Sequence, residues 1–379
     1  MAPQQMEMPD LTKIPLGVNP SGAPPNFETP PTLVHSALGT GVALVIIGGI
    51  FLAFRLGTNL KLSKKLRLDD YLAVFAFAGG IAYWVLNLIN SNNGLARHTW
   101  DLPMSTFTIP VMQRQTAIMF VIAPTLWASK AAILALYIRI FGSVVWLRRT
   151  SWIGIVCMAI FYSLNIVAAG VYCLPKMGEM WGPGVFARCA KSTWIHVVVG
   201  VFSCIADLVI LVLPFPVLMR LRVSPIKKIT LGLVFGTGVI LVVMSVVSLW
   251  LRVLIFKEID STWNATLLEI VTVIELYGTI AVSCAPAMSA FWLNIFTKTT
   301  IWSRLKSSAV FSYIRSRTSS SRQTSQEKPS FVATVPTTPL PPPAKVEPTF
   351  HSTEILRDGS YDSESDGMSK KSTSSQSMV

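Results

Sequence analysis

Charge is scarce in this sequence, and the scarcity narrows the fold more than any abundance does. Asp, Glu, Lys and Arg make up 13% of the 379 residues against 51% hydrophobic ones, and soluble domains carry about 25% charged residues. That balance excludes a water-soluble globular fold and makes lipid the solvent. Cysteine is also rare: Cys157, Cys173, Cys189, Cys204 and Cys284 form no CxxC pair and no Cys/His spacing suited to zinc. Neither a metal nor a cofactor is expected. Residues 1–32 lack an apolar core segment and are polar and proline-rich, so no cleaved signal peptide is expected and the first span must target the chain. A net charge of +13 does not point to nucleic acid, because the basic residues gather at the edges of apolar runs and in the C-terminal tail.

What is present is a series of apolar runs, centred near 35–55, 70–91, 113–138, 151–173, 194–219, 230–256 and 267–293. A helix rising 1.5 Å per residue needs about twenty apolar residues to cross roughly 30 Å of hydrocarbon. Barrel strands would alternate every second residue, so continuous runs predict helices, the form that satisfies its own backbone in lipid. The expected fold is an all-α membrane protein, a bundle of seven transmembrane helices. Its N-terminus is expected outside, with a disordered C-terminal tail in the cytoplasm.

Orientation rests on the basic residues of short loops, which are retained on the cytoplasmic side. With the N-terminus outside, the inner loops hold twelve: Arg55, Lys61, Lys64, Lys65 and Arg67, then Arg139, Arg148 and Arg149, then Arg220, Arg222, Lys227 and Lys228. The outer side holds at most eight. Asn264-Ala265-Thr266 falls in the third outer loop of this topology and reads either as a glycosylation sequon or as a chance tripeptide.

The chain divides into a disordered extracellular leader over 1–34, a membrane domain over 35–295, an interfacial amphipathic helix over 296–317 and a disordered Ser/Thr/Pro-rich tail over 318–379. Ile301, Leu305 and Ala309 recur at helical spacing among basic residues, which suits the inner leaflet, the alternative being a basic start to the disordered tail. Beyond Thr318, Ser, Thr, Pro and charge replace the residues that build a core.

Several motifs stand in order along the membrane domain. The second span opens with Leu68-Asp69-Asp70-Tyr71, and Gly94-Leu95-Ala96-Arg97-His98 follows it. The third ends with Ser129-Lys130 and Tyr137-Ile138-Arg139-Ile140-Phe141. Cys173-Leu174-Pro175, Trp181 and Cys189 occupy the next outer loop, Asp207-Leu208 and Pro214-Phe215-Pro216 the fifth span, and Glu275, Gly278 and Pro286 the seventh. In this set the chain resembles the fungal rhodopsin-domain family, seven-helix membrane proteins that include surface-sensing receptor candidates of filamentous fungi. The resemblance implies a receptor-like role.

Candidate sites follow. Cys173 and Cys189 lie on the oxidising face in this topology and are expected to form a disulfide, the alternative being two free thiols. Lys130 and Asp207 sit at similar depths in helices running the same way and are expected to form an intramembrane ion pair, fixing helix register or acting as a switch. Glu275 is expected nearer the outside, close to His98 and Arg114, as a ligand-pocket candidate or as a protonated carboxyl bonded to a neighbouring helix. Asp69 and Asp70 suit the positive end of the second helix, with a further contact to Arg139 open.

Three functions remain to be weighed. A receptor for an extracellular or membrane-soluble ligand, signalling through inner loops and tail to a partner such as a G protein, fits the topology, and the plasma membrane is its expected location. A membrane-embedded enzyme or accessory protein acting on a lipophilic metabolite has Asp207 and Glu275 to draw on, but no catalytic set is recognisable and none is assigned. A transporter lacks the internal repeat. Retinal is excluded, since residues 267–293 contain no lysine for a Schiff base. Beyond the bilayer, ligand and partner are unknown, and nucleic acid is not expected.

Overall fold

A computed structural model of the chain describes residues 10–219 and 225–294. The amphipathic helix over 296–317, the tail and inner-loop residues Arg220 and Arg222 lie outside the described residues, as do the side chains of Lys227 and Lys228.

The described helices in chain order are α1 (Val34–Ser63), α2 (Leu68–Asn90), α3 (Ile109–Ile140), α4 (Val145–Ala168), α5 (Pro183–Ala190), α6 (Thr193–Val212), α7 (Phe215–Met219), α8 (Pro225–Phe256) and α9 (Ser261–Asn294). Among the described residues, seven stretches are long and apolar enough to cross a membrane. They centre on α1, α2, α3, α4, α6, α8 and α9. The leader, the loops after α2, α4 and α8, and α5 share one end of the bundle, called here the leader end; the loops after α1 and α3 occupy the far end.

Local chemistry sets the helix limits. α1 runs eight residues past the predicted stop at 55, until Lys64 turns left-handed at φ 50°. At the start of α2, the Asp70 carboxylate accepts the Arg67 amide at 3.1 Å, and Asp69 adds a second charge to the positive helix end. α3 carries Pro110 in its first turn, where a missing N–H costs nothing. α6 stops at Val212, ahead of Pro214, and α7 resumes at Phe215, so two prolines break the fifth span that the sequence reads as continuous. α9 begins at Ser261, six residues before the predicted 267, which moves every side chain on it deeper into the bundle.

Burial separates the centre from the periphery. In the most apolar window of each span, 67% of α3 and 61% of α9 is buried, against at most 33% elsewhere. The peripheral helices show their large apolar side chains to lipid, as Ile46, Ile153, Ile240 and Trp250 do. α2 wedges against both central helices through paired glycines: a Cβ on Gly79 would stand 2.2 Å from Thr125 Oγ1, and one on Gly80 2.6 Å from Leu276 Cδ2. Small residues of this kind let membrane helices approach closely enough to gain from dispersion.

The leader differs from expectation. Residues 10–33, predicted to be disordered, are laid along the loop between α2 and α3. Leu16 donates its amide to Leu102 O at 2.8 Å, Met104 to Ile14 O at 2.9 Å and Leu33 to Ala96 O at 3.0 Å. The Asn26 amide adds a bond to the buried Asp101 carboxylate at 2.9 Å. The reason is backbone pairing, which hydrophobic patterning does not register: Pro15 and Pro103 form an antiparallel bridge whose neighbours supply these donors.

Candidate functional site

The middle of the bundle holds a buried ionic cluster built from four helices. Ser203 and Asp207 are four residues apart and therefore share one face of α6. Lys130 crosses to that face from α3: its Nζ lies 2.6 Å from Asp207 Oδ1 and donates to Ser203 Oγ at 2.9 Å. Glu275 comes from α9, and its Oε1 stands 3.0 Å from the same ammonium. The Tyr162 hydroxyl of α4 closes the set at 3.0 Å from Ser203 Oγ. Lys130 is 1% exposed and both carboxylates are buried. A cation so enclosed must take all its hydrogen-bonding partners from the protein, and here it does. With one ammonium and two carboxyl groups, full ionisation leaves the cluster one negative charge.

The expected grouping of Glu275 with His98 and Arg114 is corrected by this geometry. Because α9 starts early, Glu275 lies fourteen residues from its beginning, about 21 Å down the axis. Asp207 lies equally far into α6, so the two carboxylates meet at one level. The other two candidates stay near the leader end, apart from each other. His98 is stacked between Trp100 and Trp263, at ring separations of 4.6 and 4.0 Å, and its Nδ1 faces the Asp260 carboxylate. Arg114 donates to Asn90 Oδ1 at 2.7 Å.

A second network lies at the far end, where Arg55, assigned by the sequence to an inner loop, is instead 1% exposed inside α1. Its guanidinium reaches Asp69 Oδ2 at 2.7 Å and Asp70 Oδ1 at 2.8 Å, and the remaining nitrogen donates to Ser283 O of α9 at 2.7 Å. Asn59, one turn further along α1, donates to Asp70 at 2.8 Å. Arg139 brings in α3, with Nη1 3.0 Å from Asp69 and Nη2 3.1 Å from Asn59 Oδ1. Sequence reasoning missed Arg55 because it used the residue as a loop charge. The available signal was the pair Arg55 and Asn59, four apart on one helical face.

At the leader end, Cys173 and Cys189 form a disulfide. Arg188 reinforces the enclosed loop, donating to Tyr172 O at 3.1 Å and Leu174 O at 2.7 Å while Nη1 meets Glu179 at 2.9 Å. The Lys176 amide and the Arg188 guanidinium hold the Glu179 carboxyl below its ordinary range. Asn264 does not sit in a loop. It lies in the first turn of α9, buried, with its amide nitrogen donated to Ile259 O at 2.7 Å, so this fold does not present the sequon as an acceptor.

Two hollows flank the central cluster. One, of about 190 Å³, lies between α4 and α6, with Tyr162 and Ser203 at its floor and Cys157 and Phe161 along its wall. The other, of about 60 Å³, includes Asp207, Tyr137 and Thr279. Among the described residues, no group of three or more His, Cys, Asp or Glu side chains is arranged to hold a metal ion.

Comparison with known proteins places this architecture. The model of the fungal rhodopsin domain matches residues 54–316. A SAT4 family membrane protein of Emericella nidulans is 25% identical over 181 residues, which cover 46% of this chain and 44% of that relative. The match therefore spans less than half of the relative's length.

Proposed function

The chain belongs to the fungal rhodopsin domain family, and from that membership we propose that it is a receptor-like membrane protein whose helix arrangement is shifted by a ligand and read from its far end. One observation carries the reading: the two buried ionic networks share the same two helices. α3 supplies Lys130 to one and Arg139 to the other, nine residues or about 13 Å apart. α9 supplies Glu275 and Ser283, eight residues apart. A change in how Glu275 and Asp207 divide Lys130 alters the relation of α9 to α6. It is felt at Ser283 and Arg55 through a rigid helix, the kind of two-state element that coupling between sites needs.

In this reading the leader end faces the cell exterior, where an oxidising milieu suits the Cys173–Cys189 bridge. The far end, with Arg139 and the basic inner loops, faces the cytoplasm and a signalling partner such as a G protein. The plasma membrane is the location this role requires. The enzyme reading keeps one supporting observation, the convergence of two carboxylates in a buried site. Both are spent on Lys130, however, which argues against either acting as a free acid.

The test is expression of the full chain in a host with a G-protein reporter. Truncation after residue 317 should abolish the response, and Glu275→Ala should change its basal level. A silent reporter together with turnover of a lipophilic substrate would favour the enzyme.

A further inference from the structure

We infer that the hollow between α4 and α6 binds an uncharged lipophilic alcohol or ketone that enters sideways from the bilayer. The inference rests on the receptor reading and names the class of ligand it would take.

Access decides the first part. At the leader end the strap of residues 10–33 is hydrogen-bonded along the loop after α2. His98 of that loop is stacked between Trp100 and Trp263, and the loop bridged by Cys173 and Cys189 belongs to the same end. The α4–α6 hollow instead opens where the helices face lipid, between Cys157, which is exposed, and Ile205, which is 51% exposed. Tyr162 lies seventeen residues into α4 and Ser203 ten into α6, about 15 Å below the start of α6 and so near mid-bilayer.

Shape and polarity decide the second. A space of about 190 Å³ exceeds the ~150 Å³ cavity known to admit a benzene ring, so a ring or a short branched chain fits. Its walls are apolar, with Phe161 and Phe202 stacked at 3.6 Å as one side. Its floor carries two hydroxyls, Tyr162 and Ser203, in contact with each other and through Ser203 with Lys130. A phenol that shares a hydrogen bond with one neighbour retains capacity for another, so a ligand hydroxyl or carbonyl has a partner there. Charge narrows the class further. Lys130 is already committed to Asp207 and Glu275, and a ligand carboxylate would add a third negative group to a cluster that has one cation. Uncharged heads are therefore preferred over acids. The coupling follows from the same contacts: a head that engages Tyr162 competes for Ser203, and Ser203 is a partner of Lys130 and lies 3.5 Å from Glu275.

The experiment uses the full chain in phosphatidylcholine nanodiscs with a photoactivatable short branched alcohol and, in parallel, the matching carboxylic acid. Crosslinks are mapped by peptide mass spectrometry, with no signalling partner present, so failure here is separate from failure of the receptor reading. The alcohol should label the segments around 157–162 and 202–209, and excess unlabelled alcohol should displace it there and nowhere else. Tyr162→Phe, which keeps the shape, should weaken that competition about fivefold, the worth of one hydrogen bond. Ala206→Leu, which fills the hollow, should remove the crosslinks. Even labelling around the bundle with no displacement, meaning boundary lipid only, would overturn the inference. So would competition by the acid as strong as by the alcohol, or labelling beneath the strap. Should Ala206→Leu fail to fold, wild-type displacement and Tyr162→Phe still decide.

Discussion

The two ionic networks use the same pair of central helices but are built on different arithmetic. At the far end two guanidiniums meet two carboxylates, and the Arg55 fork is filled by Asp69, Asp70 and Ser283. In the middle one flexible ammonium serves two carboxylates and a serine, with a hollow on either side. A planar fork with matched charge has one good arrangement and suits a clamp. A point charge shared between two acids has several arrangements close in energy and suits a device that changes state. On the receptor reading proposed above, the difference gives holding to one end of α3 and responding to its middle.

The comparison breaks most visibly at the clamp. Arg55→Ala leaves the buried Asp69 and Asp70 carboxylates with Arg139 as their one cation among the described residues and should cost about 3 kcal/mol, read as a fall in the unfolding midpoint in detergent. An unchanged midpoint would mean that the far-end network holds nothing. Lys130→Met should cost about 3 kcal/mol for the same reason. Adding Asp207→Asn and Glu275→Gln should recover most of it, because a neutral buried set is often as stable as a charged one. A folded triple variant that no longer responds to ligand would sharpen the distinction between holding and responding.

Further effects lie at the leader end. Cys173→Ser with Cys189→Ser should cost about 3 kcal/mol through the freedom regained by a loop closed over sixteen residues. The Glu179 contribution has a defined sign. Its carboxyl titrates lower in the fold than in the unfolded chain, so the loop gains support above the ordinary carboxylate range and loses it as pH falls through the folded value. Limited proteolysis between 173 and 189 should therefore quicken in acid. Asn264→Gln should leave electrophoretic mobility unchanged, because the wild-type side chain is buried against Ile259.

Much of the architecture was legible because lipid demands long apolar runs, and seven of them show in composition alone. Depth counting from the helix starts also set Lys130 near the level of Asp207. The same counting failed for Glu275, because the start of α9 is fixed by Ser261 and the Asp260 turn rather than by an apolar boundary. Arg55 was hidden by its type: a basic residue after an apolar run looks like a loop charge until its acidic partners are known to lie behind it. The strap was hidden for another reason. Its bonds are made by backbone amides, and a polar proline-rich segment offers the same composition whether it is pinned or loose.

Val18 stands at the crest of that strap, 91% exposed and next to Gly17, whose backbone lies against Thr99. A dye attached there would stand next to the Gly17–Thr99 contact, so its fluorescence anisotropy would follow in real time how often the strap leaves the loop after α2. The same bonded strap thereby offers an optical handle on motion at the leader end, one that needs no knowledge of any ligand.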